Sequence, residues 1–189
     1  PQRLLLPTSH ERIKLLPAST ALATLERQSP GQSGLGLVIA KSLAQLWGEF
    51  DHAVIDSPPL LGILMVNALA ASQQLVIPVQ TEFLAVKGLE RMVSTLAMIN
   101  RSRKQALPYL IVPTLFDRRT QASMSTLRAL RNSYPEQLWP AYIPVDTRLR
   151  DASRAGLTPS QFDPNCRAVL AYRALLKHLL SLQPTAQVA

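Results

Sequence analysis

The stretch His52-Ala53-Val54-Ile55-Asp56-Ser57-Pro58-Pro59 decides the fold, because an apolar run ends there at one aspartate with two prolines close behind. Such a run is typical of a strand buried on both faces of a parallel sheet. Proline donates no ladder hydrogen bond, so the strand is expected to end by Pro58. Asp56 is then predicted at the carboxyl end of the strand, the edge where open α/β sheets bind ligands. A carboxylate there suits Mg²⁺ on a nucleotide phosphate, and it equally suits a strand end with a helix-capping aspartate.

The composition limits the class of protein. The 189 residues suit one domain or two small ones, and 47% apolar with 17% charged residues argues against disorder. Cys166 is the single cysteine, which excludes a disulfide framework and a cysteine-based metal site and favours a reducing cytoplasm. The longest apolar stretches, such as residues 60–71, are too short to span a bilayer, and no signal-peptide pattern is present. The first residue is Pro1, so we expect the chain to be a fragment.

The charge is distributed unevenly along the chain. Residues 1–86 hold five basic and six acidic residues, whereas residues 87–189 hold fifteen basic and six acidic ones. A basic half of this kind suggests a polyanionic partner such as DNA, RNA or an anionic membrane, and it is also compatible with an arginine-rich surface that binds nothing.

Helical and strand patterns alternate along the chain. Helices are predicted over residues 20–27, 37–50, 60–71, 86–100, 121–133 and 165–182, the last packing through Val169, Leu175, Leu176 and Leu179. Besides a short strand at 13–17, three apolar runs each end in proline, at 75–78, 109–113 and 141–144. We interpret these prolines as strand terminators that leave irregular loops together on one sheet edge. The alternation predicts an α/β fold, a mostly parallel sheet with helices on both faces.

Residues 51–180 resemble the ParA/MinD family of deviant-P-loop ATPases, and its Soj-like ParA branch in particular. Six pieces occur in the order and spacing of that family, and residues 13–50 fit more loosely. The pieces are Val54 to Pro59, Asn67 to Ala71, Ile77 to Phe83 with Lys87-Gly88-Leu89, Thr114 to Thr120, Ile143-Pro144 with Arg148 to Ala152, and Asp163-Pro164-Asn165 with Ala171-Tyr172-Arg173.

The resemblance implies a partitioning ATPase that dimerises around two ATP molecules, binds DNA without sequence preference and positions chromosomes, plasmids or protein clusters. Asp56 would hold Mg²⁺, and Ser57, Pro58 and Pro59 would form the switch that senses the γ-phosphate. Thr114, Pro144 and Val145 correspond to positions around the adenine, and Arg119 and Arg148 to DNA-contacting arginines. The implied partners are a second copy of the chain, DNA and a ParB-like or other adaptor, in a bacterial cytoplasm at the nucleoid.

One departure from the family is large. The family begins with a strand and a glycine-rich phosphate loop that carries two lysines, and no such sequence occurs in these 189 residues. The segment whose aspartate positions the attacking water is absent too. We therefore expect residues 1–189 to be a single, partial ParA-like ATPase domain that cannot hydrolyse ATP by itself. Since the missing strand lies beside the Asp56 strand in the family, we also expect an unstable chain or one that pairs this edge with another chain.

Three alternatives compete with this interpretation. A non-catalytic α/β binding or regulatory module would follow if the protein starts near Pro1. A MinD-like positioning ATPase would need a membrane helix, but residues 174–182 are better explained as a packed terminal helix, so no stable membrane association is expected. Metal or nucleophilic catalysis lacks support, because His10, His52 and His178 show no ligand spacing with each other or with Cys166.

Overall fold

The structure is a computed structural model, and it describes residues 1–28, 35–58, 62–101, 103 and 105–182. The chain divides into two compact units. The first comprises Pro1–Leu75 with Arg103–Leu107, and the second comprises Val76–Ser102 with Pro108–Ala189.

The first unit is organised around one apolar helix. Two short antiparallel strands, β1 (Leu6–Pro7) and β2 (Lys14–Leu15), precede α1 (Ala21–Gln28). A 3-10 turn at Leu35–Leu37 leads into α2 (Val38–Ala44), and α3 (Ile63–Ala71) follows. The helix α3 contacts α1, the 3-10 turn and α2, and it buries Met65, Asn67, Ala68 and Leu69.

The hydrogen bonds of Asn67 explain why an amide side chain lies within this apolar helix. Its side chain is 6% exposed. Its Oδ1 accepts a hydrogen bond from the backbone N–H of Ile39 at 3.2 Å, and its Nδ2 donates to the carbonyl of Ile63 at 2.9 Å. Because a buried amide is costly without partners, both bonds stabilise Asn67, and the bond from Ile39 fixes α3 against the first turn of α2.

The prediction of a strand that ends at Asp56 is wrong. Residues 52–58 have no regular secondary structure, and Val54 is 97% exposed. An apolar run becomes a strand only where a neighbour supplies its ladder hydrogen bonds. Within the described ranges, the two sheets pair β1 with β2 and residues 75–80 with 109–114, so the run 52–58 belongs to neither.

The second unit has the alternation that the sequence predicted. Its strands are β3 (Leu75–Gln80), whose first residue belongs to the first unit, and β4 (Tyr109–Thr114), which are parallel neighbours. Between them runs α4 (Phe83–Arg101), and the remaining helices are α5 (Gln121–Ser133), α6 (Arg148–Arg154), α7 (Pro159–Phe162) and α8 (Arg167–Leu182). The bounds predicted for α5 are confirmed, and its start is capped by Thr120, whose side chain accepts from the N–H of Ser123.

The prolines do not terminate these strands as predicted. The strand β3 continues two residues beyond Pro78, and β4 continues one residue beyond Pro113. A proline is tolerated where the ladder needs only its carbonyl, and the carbonyl of Pro113 accepts from the N–H of Ile143 at 2.8 Å. The predicted strand at 141–144 is reduced to an isolated parallel bridge between Phe116 and Pro144.

The core of the second unit lies between β4 and α8. Both faces of β4 are buried from Leu110 to Pro113, as predicted for a parallel strand under helices. One cluster joins the strand to the last helix and consists of Leu110, Val112, Trp139, Ile143 and Leu175. The burial predicted for Val169 and Leu175 is confirmed, whereas Leu176 is 56% exposed and its predicted inward position is wrong.

Candidate functional site

Three of the predicted site residues come together where β4 ends. The backbone of residues 143–145 runs alongside residues 113–116, since Phe116 N–H donates to the Ile143 carbonyl and Val145 N–H donates to the Phe116 carbonyl, both at 3.1 Å. Thr114 and Pro144 are half-buried, and Val145 is 37% exposed. Thr114, Pro144 and Val145 therefore share the carboxyl edge of β4, where α/β sheets bind ligands.

The adjacent strand is tied to the same edge. The N–H of Thr81, which directly follows β3, donates to the Thr114 carbonyl at 3.2 Å. The Thr81 hydroxyl donates to Ser123 Oγ at 3.0 Å, and both residues are buried. This pair anchors the first turn of α5 to the ends of the two strands, so the edge is rigidly supported.

The residues predicted to serve the metal and the γ-phosphate lie in the first unit. Asp56, Ser57 and Pro58 are exposed in an irregular segment, and Pro59 lies outside the described residues. No group of three or more potential metal ligands occurs in the described part of the chain. A single accessible carboxylate still fits Mg²⁺, which is usually bound through one or two carboxylates, waters and substrate phosphates.

Arg119 forms an ion pair with the aspartate two residues before it. Its Nη2 lies 2.7 Å from Asp117 Oδ2 and its Nε lies 2.9 Å from Oδ1, a two-point contact. Together with the backbone N–H of Arg119, this contact lowers the pKa of Asp117 to about 2. The Arg119 side chain remains 81% exposed, so the guanidinium is accessible to an anion.

Arg148 begins α6 and is also paired. Its Nε lies 3.5 Å from Asp163 Oδ2, and its side chain is 55% exposed. Both arginines predicted to contact DNA are thus exposed residues of the second unit, each beside one carboxylate.

Asp146 is a residue that the sequence analysis missed. One carboxylate oxygen accepts from the N–H of Arg148 and the other from the N–H of Ala168, each at 3.1 Å. Burial acts to raise the pKa of Asp146. The opposing effects are larger, so the pKa is lowered; they come from these two backbone bonds, the nearby Arg167 and a hydrogen bond from the Cys166 thiol. Asp146 therefore holds the starts of α6 and α8 together. The bond from Arg148 is local, but the bond from Ala168 spans twenty-two residues, and no sequence pattern predicts it.

Replacing Asp146 with alanine is expected to lower the free energy of unfolding by about 1–2 kcal/mol, because two helix-start N–H groups lose their acceptor. Since the folded pKa of Asp146 lies below its unfolded value, this contribution is present above the unfolded pKa and is lost as the pH falls through the folded pKa. Urea unfolding at pH 7 and at pH 3 measures both effects. The exposed Glu136→Gln is the control, and an Asp146→Ala variant as stable as wild type at pH 7 would contradict the capping role.

Backbone strain marks the same edge of the sheet. Leu115, between Thr114 and Phe116, has a φ of +50°, in the left-handed region that bulky residues rarely adopt. Such outliers concentrate at functional sites. The Phe116 ring then packs on Tyr142 with centroids 4.1 Å apart and planes tilted by 40°. No feature of the sequence indicated this conformation.

Among the helices of the described residues, none combines the length and the apolar character that a bilayer span requires.

Parallel strands joined by a helix, with Thr114 at the carboxyl end of β4, define an α/β protein. Its solved structural neighbours place this fold among the P-loop NTPases. The chain is similar to the cobyrinic acid a,c-diamide synthase of Mycobacterium smegmatis, whose structure was solved with a bound ATP analog and magnesium. The TM-score is 0.75 with 29% identity over 97% of this chain and 69% of that one. The fold class predicted from the sequence is thereby confirmed.

A family model described as an AAA domain, AAA_31, matches residues 2–109, more than half of the chain. Among curated relatives, the chromosome partitioning protein ParA of Myxococcus xanthus is 28% identical over 95% of this chain. The chromosome-partitioning ATPase Soj of Treponema pallidum is 28% identical over 88% of it. The chain belongs to the AAA domain family AAA_31 and, with its ParA and Soj relatives, to the ParA/MinD family. It spans 64% and 66% of the lengths of these two relatives.

Proposed function

We propose that this chain is part of an ATPase that partitions or positions chromosome, plasmid or protein cargo. The observation that carries the proposal is the gathering of Thr114, Pro144 and Val145 at the carboxyl edge of β4, in a chain whose relatives include chromosome partitioning proteins. In the natural protein these three residues contact the adenine of ATP.

Asp56 holds Mg²⁺ in this proposal, and Ser57, Pro58 and Pro59 respond to the γ-phosphate. The exposed carboxylate of Asp56 supports the assignment, because it is open to an ion that also binds phosphate oxygens. Bound Mg²⁺ would supply positive charge to the phosphates. The glycine-rich cradle that P-loop proteins use for phosphate does not occur among these 189 residues, so the phosphates need groups from another segment.

DNA is the proposed polyanionic partner, with a second copy of the chain and a ParB-like or other adaptor as protein partners in the bacterial cytoplasm at the nucleoid. Residues 87–189 carry fifteen basic and six acidic residues, and Arg119 and Arg148 are among the exposed ones. Arginine forks bind phosphate oxygens without reading bases, which suits binding that is independent of sequence.

Replacing Arg119 and Arg148 together with alanine in the natural full-length protein tests this assignment. With ATP and Mg²⁺ present, we expect affinity for a short labelled duplex to fall by about tenfold or more, because two charge-assisted contacts are lost. The slope of log affinity against log salt should fall by about two. Fluorescence anisotropy across a salt series measures both quantities.

The matched control removes two exposed cations from another helix, Lys87→Ala with Arg91→Ala on α4. An equal loss in this control would mean that net charge alone is responsible. Unchanged affinity and slope in the Arg119/Arg148 variant would remove those residues from the DNA surface.

A further inference from the structure

A surface cleft of about 410 Å³ opens beside the β4 edge, and its walls come from the loop after β4, from α5 and from the segment that follows α5. It is lined by Phe116, Arg118, Met124, Leu127, Arg131 and Tyr142. The cleft is more open than enclosed, so it suits a segment bound at the surface rather than a small molecule buried on most sides. None of the sequence-predicted site residues lines it.

The floor of the cleft is apolar and its rim is cationic. Phe116 and Leu127 are each 5% exposed and form the base, while Met124 and Tyr142 are half-buried. Arg118 and Arg131 are exposed, and among the described residues neither forms a salt bridge. Both guanidinium groups are therefore open to an anionic partner.

The charge around the cleft is one-sided. Residues 115–142, which form the three walls, contain four arginines and two acids: Asp117, which is already paired with Arg119, and the exposed Glu136. The helix α5 has no acidic residue. A partner must therefore bring negative charge to the rim and an apolar group to the floor.

These requirements favour a protein segment over a nucleic acid. Stacked bases need a series of open aromatic faces, but the Phe116 ring is almost fully buried and only the half-buried Tyr142, one side of which packs on Phe116, remains accessible. A phosphate backbone would satisfy Arg118 and Arg131 but offers no apolar group to Met124 and Tyr142. A peptide with carboxylates on either side of an apolar side chain satisfies both parts of the cleft.

We propose that this cleft docks an acidic segment of a partner protein, with one apolar side chain against Met124 and Tyr142 and carboxylates on Arg118 and Arg131. The carboxylates form charge-assisted hydrogen bonds with the guanidinium groups. The inference goes beyond the proposed ATPase. The peptide-binding measurement contains neither nucleotide nor DNA, so the two proposals can fail independently.

The test measures the binding of a fluorescein-labelled peptide, Gly-Asp-Asp-Leu-Phe-Asp-Asp-Gly, to the 189-residue chain by anisotropy. We expect binding to weaken about tenfold when Leu-Phe is replaced by Gly-Gly, and about tenfold in the Arg118→Gln/Arg131→Gln variant. The matched control, Arg128→Gln/Arg173→Gln, removes the same charge from exposed positions outside the cleft and should change binding by less than about twofold.

A charge reversal gives a second readout. The Arg118→Glu/Arg131→Glu variant should lose the acidic peptide and gain the version in which every aspartate is lysine. Equal losses in both glutamine variants, or equal binding of the Leu-Phe and Gly-Gly peptides, would overturn the proposal. A third outcome would also overturn the proposal and would assign the cleft to nucleic acid. In that outcome the peptide does not bind, whereas a single-stranded oligonucleotide binds wild type and loses affinity in the Arg118→Gln/Arg131→Gln variant.

Discussion

The purified 189-residue chain is expected to release phosphate from ATP no faster than ATP does in protein-free buffer. In P-loop proteins, backbone N–H groups of a glycine-rich loop surround the phosphates, and its lysine and hydroxyl serve phosphate and Mg²⁺. These 189 residues contain no such loop. Loss of a single stabilising donor typically slows catalysis by about 10²–10³-fold, so the absence of the whole cradle should remove measurable turnover.

Phosphate release at saturating ATP and Mg²⁺ measures this rate, with the full-length chromosome-partitioning ATPase Soj of Treponema pallidum as the reference. An Asp56→Asn variant of this chain identifies contamination, because a contaminating ATPase does not depend on Asp56. Magnesium-dependent turnover in wild type that Asp56→Asn abolishes would contradict the prediction, and it would show that these residues build a complete site.

The second large effect distinguishes two neighbouring leucines of α8. Leu175→Ala is expected to lower the free energy of unfolding by about 2–5 kcal/mol, because Leu175 is 7% exposed and packs in the cluster with Leu110, Val112, Trp139 and Ile143. Leu176→Ala is expected to change it by less than about 0.5 kcal/mol, since its side chain is 56% exposed.

The two variants lose the same atoms from adjacent positions of one helix, so helix propensity cancels in the comparison. Urea denaturation followed by circular dichroism gives both values, and equal slopes with denaturant would show that the same cooperative unit unfolds. Equal destabilisation by the two substitutions would mean that α8 packs in a different rotation.

The local sequence pattern was sufficient to predict an element wherever one helix face or one apolar run could be recognised. The bounds of α5 follow from a regular apolar face, which is a local property, and the structure adds the cap at Thr120. The prediction for Leu176 failed because periodicity defines an apolar stripe but not how far the facing elements extend along it. The approach of Pro144 and Val145 to the β4 edge, the bond from Ala168 to Asp146 and the Phe116–Tyr142 pair all depend on contacts between distant segments, which no local pattern predicts.

The sequence by itself determined the α/β class, the family and the basic second half, because hydrophobic periodicity, motif order and charge are carried by the residues themselves. Only the tertiary structure decided that residues 52–58 form no strand, that β3 and β4 pass through their prolines, and that Asp146 joins two helix starts. The physical reason is that strands and caps are completed by hydrogen-bond partners remote in sequence, and an apolar run carries no information about whether such a partner is present.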